Sequence, residues 1–308
     1  MHSLTRFLLD NEKPTLEQLI AQAGDDVDPK EAANVIQFCF SHLIHDREFL
    51  TTEQQQNIFK KLFDLLLENQ TAFTNSTHIA TIFHALGEIT HNNKEAVSVL
   101  QQDPFLFIKL FIRFAQDKNN WKQKAFATFF QGLGQLKDNN ALSGFFWQSE
   151  DFQSMVLDVL ERIATMSPLS AKPIAMVIFG LSRLQITWTE SHKQRLDQVL
   201  LKLIRAFLSC EIFPSSKPNA QEISNIVYAL ARLAKHGALI PTMWLEKDRK
   251  EEILYPLIRL IYKKKPEELA ISQIFYALGK LAQMQCLEKA SVFWLIKPLI
   301  QYLLPEKP

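Results

Sequence analysis

The chain has 308 residues, 47% of them apolar and 22% charged, with a net charge of +1. These values sit near globular averages and exclude a disordered or collagen-like chain, while no apolar run approaches the roughly 20 residues of a membrane span. Eight glycines leave little for phosphate loops or tight hairpins, so the composition suits long helices.

Taken from the start, Phe7-Leu8-Leu9 is too short an apolar run for a secretory signal and is soon followed by charge. Residues 14–23 open on Pro14 and stop at Gly24, which reads as a short helix. A cap is therefore expected over residues 1–30, hiding the apolar flank that the end of a helical array would otherwise expose.

From residue 31 onward one motif returns. Its copies are 33–43 (ANVIQFCFSHL), 79–89 (IATIFHALGEI), 126–136 (FATFFQGLGQL), 174–184 (IAMVIFGLSRL), 223–233 (ISNIVYALARL) and 271–281 (ISQIFYALGKL). Their last residues are spaced by 46, 47, 48, 49 and 48. A period in that range, with two helices per unit, is the mark of HEAT- and armadillo-like arrays. The expected fold is all-α: a right-handed α-solenoid of about six two-helix repeats over residues 31–308, starting near residues 31, 77, 124, 172, 221 and 269.

Between the copies lie second apolar-periodic segments, at 52–69, 104–117, 151–166, 191–209, 248–265 and 290–304. They read as B helices, with Pro104 in a first turn and Ser191 and Asp248 as N-caps.

At about 100° per residue, Ile79, Ile82, Phe83, Leu86 and Ile89 share one face, which is core. Ala80 and Gly87 fall on one flank and Ala85 on the other, and later copies keep small residues there, as in Gly132, Gly180, Ala229 and Ala277. Small flanks let successive A helices approach closely. Opposite the core runs a stripe: Thr81, His84, Glu88; Thr128, Gln131, Gln135; Met176, Phe179, Arg183; Asn225, Tyr228, Arg232; Gln273, Tyr276, Lys280. It turns aromatic and basic along the chain, the composition of binding hot spots. Phe179, Arg183, Asn225, Tyr228, Arg232, Gln273, Tyr276 and Lys280 are the candidate partner-binding residues. The same pattern fits side chains covered by B helices or linkers, and both readings stay open here.

Charge is split along the chain. Residues 1–170 hold 14 Lys and Arg against 21 Asp and Glu, and residues 171–308 hold 20 against 12, so the halves carry −7 and +8. A basic later half suits an acidic partner, although solvated faces also drift in charge.

No catalytic constellation stands out. His42 and His45 lie three apart beside Asp46, but without the glutamate of a metalloprotease helix they read as a surface or capping group. Gly132-Leu133-Gly134 follows helix-forming residues and lacks the Lys-Ser or Lys-Thr of a phosphate loop. Glu251-Glu252 and Glu267-Glu268 read as N-terminal charge on helices. Cys39, Cys210 and Cys286 share no ligand spacing and read as free buried thiols in a reducing compartment. The expectation is a protein that is not an enzyme, with no cofactor and no metal, working in a cytoplasm. Arg113, Arg162, Arg205 and Arg259 recur on the B segments as a second basic ladder, which keeps RNA as an alternative partner, while a pI near 7.7 places nucleic acid behind protein.

The strings at 223–233 and 271–281 resemble helix A of two repeat families. One is the octotricopeptide-type repeat of organellar RNA-binding proteins, whose core reads Leu-x-x-Ala-Leu-Ala-Lys-Leu and whose period is shorter. The other is the helical repeat of secreted effectors from intracellular and plant-pathogenic bacteria, the SKWP type included. The second resemblance implies a regulator delivered by a bacterium into a host cytoplasm, which binds and restrains another effector enzyme over its superhelical surface, without membrane insertion. The first implies RNA binding through the same stripe.

Overall fold

The structure is a computed structural model and describes residues 33–40, 52–91, 93–117, 122–142, 148–213, 216–264 and 266–303. The expected cap helix at 14–23 and the His42/His45 pair lie outside the described residues. Every regular element within them is helical. The chain divides into two units, Met1–Ser143 and Gly144–Pro308.

In the first unit, α1 (residues 33–40), α2 (Thr52–Glu68), α3 (Ser76–Ile89), α4 (Lys94–Leu100), α5 (Pro104–Gln116) and α6 (Gln123–Asp138) follow one another. Side chains start several of them: Asn75 Oδ1 accepts from the Thr77 amide, Asn93 Oδ1 from Ala96, and Asp103 Oδ1 from Phe105 and Leu106. Each satisfies a backbone N–H that has no partner inside its helix. α3 and α6 are A helices laid side by side. Their core is phenylalanine: Phe114 stacks on Phe129 with ring centroids 3.8 Å apart, and Phe83 lies 4.7 Å from Phe129. Burying each such ring stabilises by about 1.5–3 kcal/mol.

The small flanks act where α3 meets α6. A Cβ on Gly132 would lie 2.4 Å from the backbone of Phe83 and His84, and one on Gly87 would lie 2.8 Å from Gln135 Cβ. No side chain fits at either contact. The geometry also gives the flanks a direction: the Ala85 register, where Gly132 stands, faces the A helix before it, and the Gly87 register faces the one after it.

The second unit contains α7 (Glu150–Ala164), α8 (Ala171–Arg183), α9 (Glu190–Ser209), α10 (Ala220–Lys235), α11 (Pro241–Leu245), α12, α13 (Glu268–Gln283) and α14 (Lys289–Leu303). Here α12 is one helix in three stretches: Lys247–Arg249, a π-helical Lys250–Leu254, and Tyr255–Lys263. Pro256 accounts for the π stretch. It has no N–H for a regular helical bond and its ring would meet the Glu252 carbonyl, so the ladder widens just before it. The A helices α8, α10 and α13 pack in that order, and α7, α9, α12 and α14 make a second row. The core is mainly aliphatic, with Ile178, Leu200, Ile204, Ile226, Leu230, Ile258 and Leu278 all fully buried beside Phe152 and Phe207.

Two expected N-caps are displaced. The α9 cap is Thr189, not Ser191, because the Thr189 amide is already held by Gln153 Oε1 at 3.1 Å, which sets the entry of the chain. Asp248 lies inside α12, whose N-cap is Glu246; Trp244 and Arg249 on either side are both tied to Asp197, which fixes that turn.

A repeated stop follows the A helices. Asn140, Gly237 and Gln285 have φ of 56°, 67° and 59°, each four residues past the end of its motif. The next residue donates back across the turn: Ala141 to the Leu136 carbonyl, Ala238 to Leu233, and Cys286 to Leu281, at 2.8–2.9 Å. This is a Schellman motif at C′, and the residues after it, Leu142, Leu239 and Leu287, turn back into the core.

Candidate partner-binding face

All eight candidate residues lie on the three A helices of the second unit. Asn225, Tyr228 and Arg232 follow one another at helical spacing on α10, with Gln273, Tyr276 and Lys280 in the same register on α13, and Phe179 and Arg183 on α8. Side-by-side packing of these helices brings the rungs into line. Phe179 and Tyr228 have ring centroids 6.2 Å apart, and Tyr228 and Tyr276 have theirs 5.6 Å apart, each pair tilted by about a third of a right angle. Three aromatic rings thus form one ladder across three helices.

Cations flank it at both ends. The Arg183 guanidinium lies 5.9 Å from the Phe179 ring centroid, and Lys280 Nζ lies 5.9 Å from that of Tyr276, within the reach of cation–π attraction. Lys280 Nζ also donates to Gln283 at 2.8 Å. Phe179, Tyr228, Arg183 and Arg232 are half-buried and Tyr276 is 44% exposed, so B helices do not bury the stripe.

Asn225 and Gln273 occupy the other end of the stripe and are engaged within the fold. Gln273 Oε1 accepts from Ser224 Oγ at 3.0 Å and from Gln221 Nε2 at 3.4 Å, and Gln221 Nε2 donates to Asn225 Oδ1 at 2.8 Å. They clip α10 to α13. In the first unit the same register is polar throughout: Gln135 Nε2 donates to Glu88 Oε1, and one turn further on Asn139 Nδ2 donates to the Gly87 carbonyl at 2.9 Å. Those positions cross-link helices and form no ladder of rings.

The second basic ladder divides. Arg113 donates to the Thr71 carbonyl at 3.0 Å and Arg205 pairs with Glu252, while Arg259 is exposed beside Tyr255 and Tyr262.

Two buried polar groups carry no sequence signal. Asp197 on α9 is fully buried, accepts from Trp244 Nε1 at 2.6 Å and pairs with Arg249 at 3.0 Å. Burial raises its pKa, against the pull of Arg249 and the Trp244 hydrogen bond. Gln153 on α7 donates to the carbonyls of Gln148 and Thr187 and accepts from the Thr189 amide. Both join neighbouring elements of the second row. Nothing in a lone Asp or Gln on an apolar stripe distinguishes it from a surface residue until its partners, tens of residues away, are placed.

The three cysteines are free and buried. Burial pushes the Cys39 thiol up to about 12 and, aided by Asp197, the Cys286 thiol up to about 11. Among the described residues, no group of three or more His, Cys, Asp or Glu is placed to hold a metal ion, and no helix is long and apolar enough to cross a membrane.

Fold and face together define an all-α protein in which one helical motif is repeated and, over its last three copies, presents aligned aromatic rings with basic flanks. The chain matches no protein-family model and no curated protein.

Proposed function

We propose that this protein is a non-enzymatic binding scaffold, a right-handed α-solenoid of about six repeats, that holds another protein against the stripe formed by Phe179, Arg183, Asn225, Tyr228, Arg232, Gln273, Tyr276 and Lys280. The observation that carries the reading is the Phe179–Tyr228–Tyr276 ladder. Half-exposed aromatics locked into one rotamer by stacking lose little entropy on binding, and arginine and lysine beside them give directional contacts to carboxylates. The surplus of basic residues in this half of the chain favours an acidic partner surface. By the resemblance to secreted bacterial effectors, the partner is another effector enzyme that the scaffold restrains inside a host cytoplasm.

RNA binding through the same ladder is the competing reading. Consecutive ring centroids lie only 6.2 and 5.6 Å apart, too close to admit a base between rungs, which favours protein.

The test is affinity capture from the native cytoplasm with the intact chain and with a Tyr228→Ala/Arg232→Glu variant. One stoichiometric protein should copurify with the first and be lost with the second at unchanged helicity. Equal recovery by both would remove the stripe as the binding face. Recovery of RNA, released steeply as salt rises, would replace protein with RNA as the ligand.

A further inference from the structure

Among the described residues no A helix follows α13 in the row α8–α10–α13, yet its outer flank is built like the two contacts before it. The flank each A helix offers to its successor is covered wherever a successor is present. Ala175, Ser224 and Ala231 on α8 and α10 are buried, as are Ile178 and Val227, and Ser224 bonds to Gln273 on the next helix. On α13 the same register reads Ser272, Phe275 and Gly279. Ser272 and Gly279 are exposed and Phe275 is only half-buried.

Space around the glycine makes the contrast sharper. A Cβ on Gly87 would collide with the following helix, whereas one on Gly279, in the same register, would meet nothing within 4 Å. Two residues before the motif the other A helices carry Thr77, Lys124, Lys172 and Gln221; α13 carries Leu269, which is 62% exposed. This face is apolar along Leu269, Phe275 and the small flank, and it adjoins a trough of about 500 Å³ lined by Gly279, Ala282 and Val292 on one hand and by Gln283, Gln285 and Lys289 on the other.

We infer that the outer flank of α13 is a docking site for one amphipathic helix of a partner protein, seated as α10 sits on α8 and as α13 sits on α10. The fold itself specifies what such a helix looks like. It presents an alanine or glycine to the flank, as α6, α10 and α13 present Gly132, Ala229 and Ala277. Beside that small residue it carries an aromatic, as in Tyr228-Ala229 and Tyr276-Ala277, which extends the ladder onto the open side of Tyr276. A glutamine or glutamate one turn earlier accepts from Ser272, as Gln273 accepts from Ser224. A second copy of this chain is the poorer fit, because Ala229 and Ala277, the faces it would offer, are fully buried against their own neighbours.

The probe is a fluorescent, side-chain-stapled peptide copying residues 268–283, since an unconstrained 16-residue helix is marginal in water. Titrated with the full chain, it should bind saturably. Gly279→Leu in the chain fills open space and should not lower helicity or melting temperature, but should weaken binding at least about tenfold, as should Ala277→Leu in the peptide. An Arg183→Glu chain, altered on α8, two helices away from the flank of α13, should bind the peptide within about twofold of the parent, which separates this site from the far end of the stripe. The inference is overturned if the peptide fails to bind, or binds the Gly279→Leu chain equally well. It is overturned in favour of a second copy if sedimentation shows the full chain to be a dimer that Gly279→Leu dissociates.

Discussion

Gly132 and Gly279 carry one residue type in two situations. At Gly132 a methyl group would overlap the backbone of Phe83 and His84 at 2.4 Å, so Gly132→Ala should destabilise by about 1–3 kcal/mol by overpacking even though alanine is the better helix former. At Gly279 there is no such neighbour, and Gly279→Ala should stabilise by about 0.5–1 kcal/mol. Urea denaturation of the two variants measures both, and equal signs would remove the packing argument. The thiols give a second test. Cys39 and Cys286 are held neutral by burial, at about 12 and about 11, above the value of about 8.5 for an exposed thiol. An acid whose pKa is raised by folding keeps its proton in the native state and loses it on unfolding, so stability should fall as pH rises from about 8.5 toward those values. Ellman's reagent at pH 8 should find the native thiols unreactive and label them once the chain is unfolded.

At the scale of the element, the helix stops are the informative feature. Asn140, Gly237 and Gln285 hold the same left-handed position, yet only one of them is glycine. Gln285→Gly should therefore stabilise, and Gly237→Ala should destabilise, each by about 1 kcal/mol, read as shifts in the urea midpoint at constant slope. The Gln153 amide is the counterpart on the second row. Its carbonyl and amino groups hold the 187–189 segment, so Gln153→Leu should cost about 1 kcal/mol by removing the hydrogen bonds to the Thr189 amide and the Thr187 carbonyl. The helices themselves were legible in sequence: every A copy and B segment is helical over its described residues, with ends no more than three residues from the expected ones. The short α4 and α11 were not, because seven and five residues are too few to show a period. The stops were partly legible, since Asn140-Ala141-Leu142, Gly237-Ala238-Leu239 and Gln285-Cys286-Leu287 recur at the same offset. Asn and Gln in place of glycine hide the signal.

For the whole molecule, the useful contrast lies between the two units. The first has a phenylalanine-rich core and polar rungs; the second has a mainly aliphatic core, with Phe152 and Phe207 also buried, and aromatic rungs. Binding through the proposed stripe should therefore depend on residues of the second unit alone. Substituting Gln131 and Gln135 in the first unit should leave partner capture within about twofold of the parent, whereas Tyr228→Ala/Arg232→Glu should abolish it. Capture lost equally in both variants would mean that the stripe is not where the partner sits.

Local chemistry repeated at 46 to 49 residues was enough to specify where helices form, which faces are apolar and where small residues recur, because helical periodicity and side-chain size are properties of each segment taken alone. Which flank touches which neighbour, and whether a neighbour is there, is decided only by packing. Ser224 and Ser272 occupy the same place in the motif, as do Gly87 and Gly279. One of each pair is buried against the next helix and the other faces open space, because burial is set by the next helix and not by the residue.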